Sequence, residues 1–449
     1  MRVGIFGTGH VGLPTAAALA HLGHDVVATD VDAEKLSALS VGRLPFYEPG
    51  LEDLVRGELA SGRLRFSAEP TATVSDRQVV FVCVGTPPRT SGEANLLALE
   101  RAAEIIGRHA TGPLVVVEKS TVPAGTASRV QETLARYNGA VSFAVVSNPE
   151  FLREGCAVED SLRPARILVG SDSNEALAVM RELYAPLIGL GVSWIETDVR
   201  TAELAKHACN AFLAMKISYA NALARICELA GADVVAVADA MGVDPRIGRA
   251  YLDAGLGYGG YCFPKDVAAF ERLSTRLGYR FRLLEEVAEI NGQAVGFAVQ
   301  KIEEILWNLE DKRIALLGLA FKPGTDDVRF APALEVARRL LAGGARVVGH
   351  DPQASATAKA ELPELEIATD AYAALEGAHC AIVCTEWPAF RDLDFERART
   401  LMAFPILLDG RNLYGDREVA AMAQAGFTYL ATGRRPRPRP AALHASLIH

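Results

Sequence analysis

From residue 1 to about 195, short apolar runs alternate with longer stretches whose apolar residues recur at helical spacing. The runs at 3–6, 25–29, 79–84, 114–118, 141–146 and 166–169 predict β-strands. Strands separated by helices predict a parallel sheet covered on both faces. From about 200 to 295 the pattern changes. The stretch TAELAKHACNAFLAMKISYANALARICELAGA reads as one long helix ending near Gly231. Further helical segments follow, interrupted by a loop, DAGLGYGGYCFPKD. Strand-like runs return after 311 in DKRIALLGLAF, ARVVGHDP, HCAIVCTEW and PILLDGRN, again with helical patterns between them. The expected fold class is α/β, with two Rossmann-like doubly wound domains joined by a central long-helix region. The expected boundaries are 1–198 for a dinucleotide-binding domain, 199–295 for a helical domain carrying the glycine loop, and 296–432 for the second Rossmann-like domain. Residues 433–449, where Arg and Pro alternate, are expected to form a flexible tail.

Composition narrows the function classes. Half of the 449 residues are hydrophobic and 22% are charged, a balance that excludes a disordered chain. Lys plus Arg number 46 against 55 Asp plus Glu, for a net charge of −9. That balance does not favour a nucleic-acid partner. The first residues, MRVGIFGTG, already form a strand entering a turn, so no signal peptide is expected. No window offers 18 uncharged apolar residues, so no membrane span is expected. Seven cysteines at 83, 156, 209, 227, 262, 380 and 384 match no common metal pattern. They point to a reduced, cytoplasmic protein without a metal centre.

The first glycine turn carries the clearest chemistry. Gly7, Gly9 and Gly12 form GxGxxG between a predicted strand and a predicted helix, with His10 and Val11 inside the turn. Such a turn lets a pyrophosphate approach the helix N-terminus, where free N–H groups and the helix dipole favour anions. Asp30 closes the second strand 18 residues after Gly12. Its carboxylate would accept from a ribose 2′-OH and repel a 2′-phosphate, which favours NAD over NADP.

A second candidate is the segment from Gly255 to Asp266. Gly255, Gly257, Gly259 and Gly260 are costly in chain entropy and suit a loop wrapped closely around a ligand. Cys262 follows directly, with Lys265 and Asp266 beyond it. A lone cysteine is more often a buried hydrophobe than a nucleophile, but the flexible flank favours the nucleophile here. Lys206 and Asn210 share one face of the long helix. Taken alone, that pair reads as a solvated lysine with an incidental neighbour. Glu150 and Glu154, in NPEFLREG, and Thr121, in KSTVP, follow strands and so lie where parallel sheets place ligands.

Eight motifs in order make the chain recognisable: GxGxxG, PFYEPGL (45–51), VGTP (84–87), KSTVPAGT (119–126), NPEFLREG (148–155), KxxxNAFLA (206–214), GYGGYCFPKD (257–266) and FKPGTDDVR (321–329). Together they resemble the UDP-glucose/GDP-mannose dehydrogenase family over about residues 1 to 430. Tyr261 departs from the pattern, standing before the cysteine where the family carries serine.

The resemblance implies a four-electron oxidation of a nucleotide sugar at its primary alcohol, with two NAD+ consumed. A thiolate would trap the aldehyde as a thiohemiacetal, and the resulting thioester would be hydrolysed. Cys262 is the implied nucleophile. Lys206 and Asn210 would stabilise oxyanions, Asp266 and Thr121 would position water or move a proton, and Glu154 would serve as base. The implied NAD contacts are Gly7, Gly9, His10, Val11, Gly12, Asp30, Lys35, Thr86, Thr121, Glu154, Lys265 and Arg329. The implied sugar-nucleotide contacts are Glu150, Phe151, Leu152, Arg153, Lys206, Asn210, Tyr251, Gly255, Gly257, Tyr258, Gly259, Gly260, Phe321, Lys322 and Arg411. Arg246 is implied to reach the neighbouring subunit's site in a homodimer formed through the central helices. UDP-glucose is the first substrate implied, with GDP-mannose or a UDP-N-acetylhexosamine as alternatives. A two-electron hydroxyacid dehydrogenase would need no cysteine, and a non-catalytic NAD-binding protein would need none of this set.

Overall fold

The computed structural model describes residues 1–434, so most of the Arg/Pro tail lies outside the described residues. The described residues form two compact units: Met1–Asn210 with Ala268–Arg280, and Ala211–Val267 with the described residues from Phe281 onward.

The first unit is built on eight strands: β1 (Arg2–Phe6), β2 (Asp25–Thr29), β3 (Leu64–Phe66), β4 (Val79–Val82), β5 (Leu114–Glu118), β6 (Phe143–Ser147), β7 (Arg166–Gly170) and β8 (Ser193–Thr197). Their order is β3-β2-β1-β4-β5-β6-β7-β8. The chain therefore reverses direction across the sheet between β1 and β4, the switch point where doubly wound sheets bind ligands. Strands β4 and β5 are buried throughout, which is why they read as apolar runs, broken only by Glu118 at the end of β5. Ile5, Val26 and Phe81 face one packed layer, and Phe6, Val80 and Val82 face the other.

The expected parallel sheet holds, with one exception. Strands β6 and β7 meet in a single antiparallel pair, Ser147 opposite Gly170, the last residue of each strand. The short strands β3 and β8 were not expected from the pattern. Strand β4 stops at Val82 rather than at 84, and β6 begins at Phe143 rather than at 141.

The second unit carries β9 (Arg313–Leu317), β10 (Arg346–His350), β11 (Glu366–Ile367), β12 (Cys380–Val383), β13 (Ile406–Asp409) and β14 (Thr428–Ala431). Their order, β11-β10-β9-β12-β13-β14, repeats the first six strands of the other sheet, and every pairing is parallel. The long helix runs Val199–Ala230, as its spacing predicts. The glycine loop is shorter than the sequence suggests. A 15-residue helix, Cys262–Arg276, begins inside it. Pro264 falls in that helix's first turn, where its missing N–H has no helical partner to lose.

Candidate active site

In the first unit the glycine turn leads from β1 into the helix Gly12–His21. A Cβ added to Gly12 would stand 1.9 Å from the Gly7 carbonyl oxygen, so only glycine lets the helix start this close to the turn. A Cβ on Gly9 would meet nothing within 4 Å. That open cradle over the helix N-terminus fits a pyrophosphate. The His10 ring stacks on Phe46, with centroids 4.1 Å apart.

Asp30 follows β2 and is held in place. Its Oδ2 accepts from the Thr8 amide and the Thr8 hydroxyl, both at 2.8 Å, and pairs with Lys35 Nζ at 2.5 Å. Burial pushes its pKa up, but Lys35 and Thr8 outweigh that and hold it below the usual carboxylate range. The anion expected from the sequence is therefore present. The buried Thr86 hydroxyl donates to the Thr121 carbonyl at 3.0 Å and ties together two segments that follow β4 and β5.

The strand ends of the same unit hold a dry, charged cluster. Lys206 is only 4% exposed and pairs with Glu150 Oε1 at 2.9 Å. It is not the solvated lysine that its spacing alone suggests. Asn210, one turn later on the same face, is 5% exposed. The other Glu150 oxygen accepts from the Leu152 amide at 2.6 Å, and the Phe151 ring lies 5.2 Å from the Lys206 ammonium. Arg153 turns outward and forks onto Asp160. Glu154 stands half-buried in the turn before the helix Ala157–Leu162, not on a helix. Beside this cluster Lys119 donates to Asn148 Oδ1 at 3.0 Å, and Tyr184 donates to the same oxygen at 2.7 Å. Burial pulls the Lys119 pKa down to about 8 against the opposing pull of Cys83 and Glu150.

The second unit carries the cysteine. Cys262 is partly exposed and is the first residue of its helix, where first-turn N–H groups favour negative charge. Four other cysteines, 83, 227, 380 and 384, are buried, and burial pushes each of those thiols up. Lys265 and Asp266 are buried and paired at 2.5 Å.

The glycine loop before Cys262 is clamped from several sides. Asn291 accepts from the Tyr258 amide at 2.7 Å and donates to the Tyr258 carbonyl at 3.0 Å. The Arg411 guanidinium donates to the carbonyls of Gly257, Phe321 and Cys384. Gly260 has φ +76, and a Cβ there would come within 2.7 Å of the Phe321 ring. Tyr251 and Tyr258 pack on Phe263, and Lys322 lies 5.6 Å from the Phe321 ring centroid. Tyr261 lies between two cations, Arg329 at 4.4 Å and Lys265 at 5.6 Å from its ring centroid. Gly255 and Gly259 belong to the same loop, each with a backbone carbonyl at its Cβ position. Arg246 is exposed, and its guanidinium grips Asp244.

Several residues of this architecture carried no signal of their own in the sequence. Glu48, within PFYEPGL, is buried and accepts from the Gly155 and Ala157 amides at 2.7 and 2.8 Å, which fixes the Glu150–Glu154 turn. Asn291, Asn148 and Tyr184 act from distant helices and strands in the same manner. Their partners are mostly backbone groups or lie far away in sequence, so spacing cannot reveal them.

A switch-point glycine turn with a carboxylate at the end of β2 defines a dinucleotide-binding fold. A second parallel sheet stands beside a clamped loop that ends in a thiol. Three family models divide the chain between them: the NAD-binding domain at residues 1–188, the central domain at 200–293 and the UDP-binding domain at 315–416 of UDP-glucose/GDP-mannose dehydrogenases. The chain is similar to a UDP-glucose 6-dehydrogenase of Bacillus subtilis, with 42% identity over 96% of this chain and 93% of that protein. A Rhizobium meliloti UDP-glucose 6-dehydrogenase is 44% identical over 97% of this chain and all of its own length. The solved structure of a UDP-glucose dehydrogenase from Pyrobaculum islandicum superposes with a TM-score of 0.90 at 39% identity, covering 97% and 98% of the two chains. The chain belongs to the UDP-glucose/GDP-mannose dehydrogenase family, and its cofactor is NAD.

Proposed function

We propose that this chain oxidises C6 of UDP-glucose from alcohol to carboxylate in two NAD-dependent steps on one active-site cysteine. One observation carries the mechanism. Cys262, alone in a clamped glycine loop, is a partly exposed thiol at the start of a helix, while Cys83, Cys227, Cys380 and Cys384 are buried in apolar packing.

When bound, NAD+ would supply the hydride acceptor for each of the two oxidations at C6. Gly7, Gly9, His10, Val11 and Gly12 would receive its pyrophosphate, and Asp30 its ribose hydroxyls. Thr86, Thr121, Glu154, Lys35, Lys265 and Arg329 complete the proposed contacts. The C6 hydroxyl proton leaves to a water held by Asp266 and Thr121, while Lys206 and Asn210 donate to the oxygen on C6 as it becomes an alkoxide, an aldehyde and then a tetrahedral oxyanion. Cys262 Sγ adds to the aldehyde carbon to give a thiohemiacetal, whose oxidation gives a thioester. Glu154, helped by Asp266 and Thr121, takes a proton from the water that cleaves the thioester, releasing the carboxylate and regenerating the thiol. Lys322 and Arg411 meet the diphosphate, and the loop from Tyr251 to Gly260 closes over the sugar. In NADH assays against UDP-glucose, UDP-N-acetylhexosamines and GDP-mannose, kcat/KM is expected to be highest for UDP-glucose. A clear preference for another sugar would overturn the substrate.

The same reading includes a homodimer. Phe212, Tyr219 and Ile226 are each more than half exposed and stand seven residues apart on the long helix, forming one apolar seam. Two-fold pairing along that seam would bury it, and Arg246 would then serve the neighbouring site. Light scattering at micromolar concentration is expected to give twice the chain mass, and a stable monomer would refute the pairing. A cytoplasmic location is supported by the cysteine usage, with Cys83, Cys227, Cys380 and Cys384 packed in the interior as thiols. Among the described residues no helix is long and apolar enough to cross a membrane.

A further inference from the structure

Glu118 is the last residue of β5, paired between Val82 and Ser147 and only 1% exposed. No N–H or O–H donor among the described residues reaches either of its buried carboxylate oxygens. A buried polar group without a partner needs an explanation. The group beside it is another acid, Glu203, within hydrogen-bonding reach. Glu203 is 2% exposed, but its oxygens are satisfied: Oε2 accepts from the Gly125 amide at 2.6 Å and Oε1 from the Ala127 amide at 2.9 Å. It thereby caps the helix Thr126–Tyr137, whose own N-cap is a glycine with no side chain to offer.

Two adjacent carboxylates in a dry site cannot both be ionised. The amides and the helix dipole stabilise the anion on Glu203, and nothing comparable stabilises one on Glu118. We propose that Glu118 holds a proton and donates it in a hydrogen bond to Glu203, and that this pair positions the Thr121 segment against the helix bearing Lys206 and Asn210.

The sequence distances make the coupling direct. Glu118 stands three residues before Thr121, and Glu203 three residues before Lys206. Glu203 also grips Gly125, at the far end of the same segment. Burial, and after it the charge of Glu203, raise the Glu118 pKa well above the usual range. Burial leaves the Glu203 pKa raised as well, but the Ala127 and Gly125 amides pull against that rise, whereas no amide among the described residues does so for Glu118. Other ionisable groups nearby are engaged elsewhere. Strand alternation turns Lys119 to the opposite face, toward Asn148. Lys206 pairs with Glu150, and His207 Nε2 meets the Val122 carbonyl. Arg129, in the first turn of the capped helix, is exposed.

A carboxyl whose folded pKa lies above its unfolded value contributes stability below the unfolded pKa and loses it as pH rises toward the folded one. Glu118→Gln keeps a donor without the titration, and Glu118→Leu keeps neither. The melting temperature of Glu118→Gln minus that of the parent is expected to rise from pH 5 to pH 9, by roughly 2–4 °C. A difference that stays flat with pH would overturn the shared proton. This readout needs no sugar, so it stands apart from the proposed reaction. By calorimetry at pH 7, Glu118→Leu is expected to raise the Kd for NAD+ about tenfold, an effect of loosening the Thr121 segment. Glu118→Gln is expected to restore it to within about threefold of the parent. An unchanged Kd in the leucine variant, or a glutamine variant no better than leucine, would overturn the positioning role.

Discussion

Replacing Cys262 with alanine is expected to abolish four-electron turnover, with a loss of about a thousandfold or more, while NAD+ affinity changes little. The thiol lies in the second unit and the glycine turn with Asp30 in the first, so the substitution leaves the cofactor cradle intact. Cys262→Ser is expected to bind both substrates and then stall, or to leak aldehyde. A hydroxyl adds to an aldehyde less readily than a thiolate, and an ester hydrolyses more slowly than a thioester. Mass spectrometry of the serine variant incubated with UDP-glucose and NAD+ can detect an adduct at residue 262. If Cys262 were only a packing residue, alanine would cost some stability and leave turnover within tenfold of the parent.

The second large effect concerns Lys206. Lys206→Met is expected to lower kcat by at least about a hundredfold, because a donor to the developing oxyanion is lost. It should also destabilise the fold by about 3–5 kcal/mol, since Glu150 is left as an unpaired buried charge. The two effects separate in a double variant. Adding Glu150→Gln removes the orphaned charge and should recover much of the stability while kcat stays low. Recovery of both together would make Lys206 a structural residue, and a single variant within tenfold of parental kcat would remove it from the chemistry.

Much of the fold was legible because its central strands are buried on both faces. Residues 2–6, 79–82 and 114–118 must be almost wholly apolar, and they stand out against the helical spacing around them. Strands β3, β8, β11 and β14 lie at the edges or outer parts of the sheets and are short or half-exposed. Pairing with a neighbour makes them strands, and hydrophobic pattern does not report that pairing. The same distinction divides the site. The glycine turn, Asp30 and Cys262 are visible because local chemistry fixes their spacing, whereas spacing alone makes Lys206 a solvated lysine and does not report the buried Glu150 that it meets. Glu48, Glu118, Glu203 and Asn291 hold backbone or acid groups contributed by distant segments, and an isolated acid or amide in a sequence does not show what it will meet. The last five residues of DAGLGYGGYCFPKD belong to the helix and not to the loop, because Pro264 sits in a first turn, where a helix tolerates it.

The central claim is that one cysteine carries both oxidations of one sugar. The most direct measurement is the yield of NADH from limiting UDP-glucose in excess NAD+, with the sugar product identified by mass spectrometry. Two NADH per sugar, with UDP-glucuronate as the product and no free aldehyde, is the expected result. One NADH per sugar with aldehyde released would contradict the covalent mechanism.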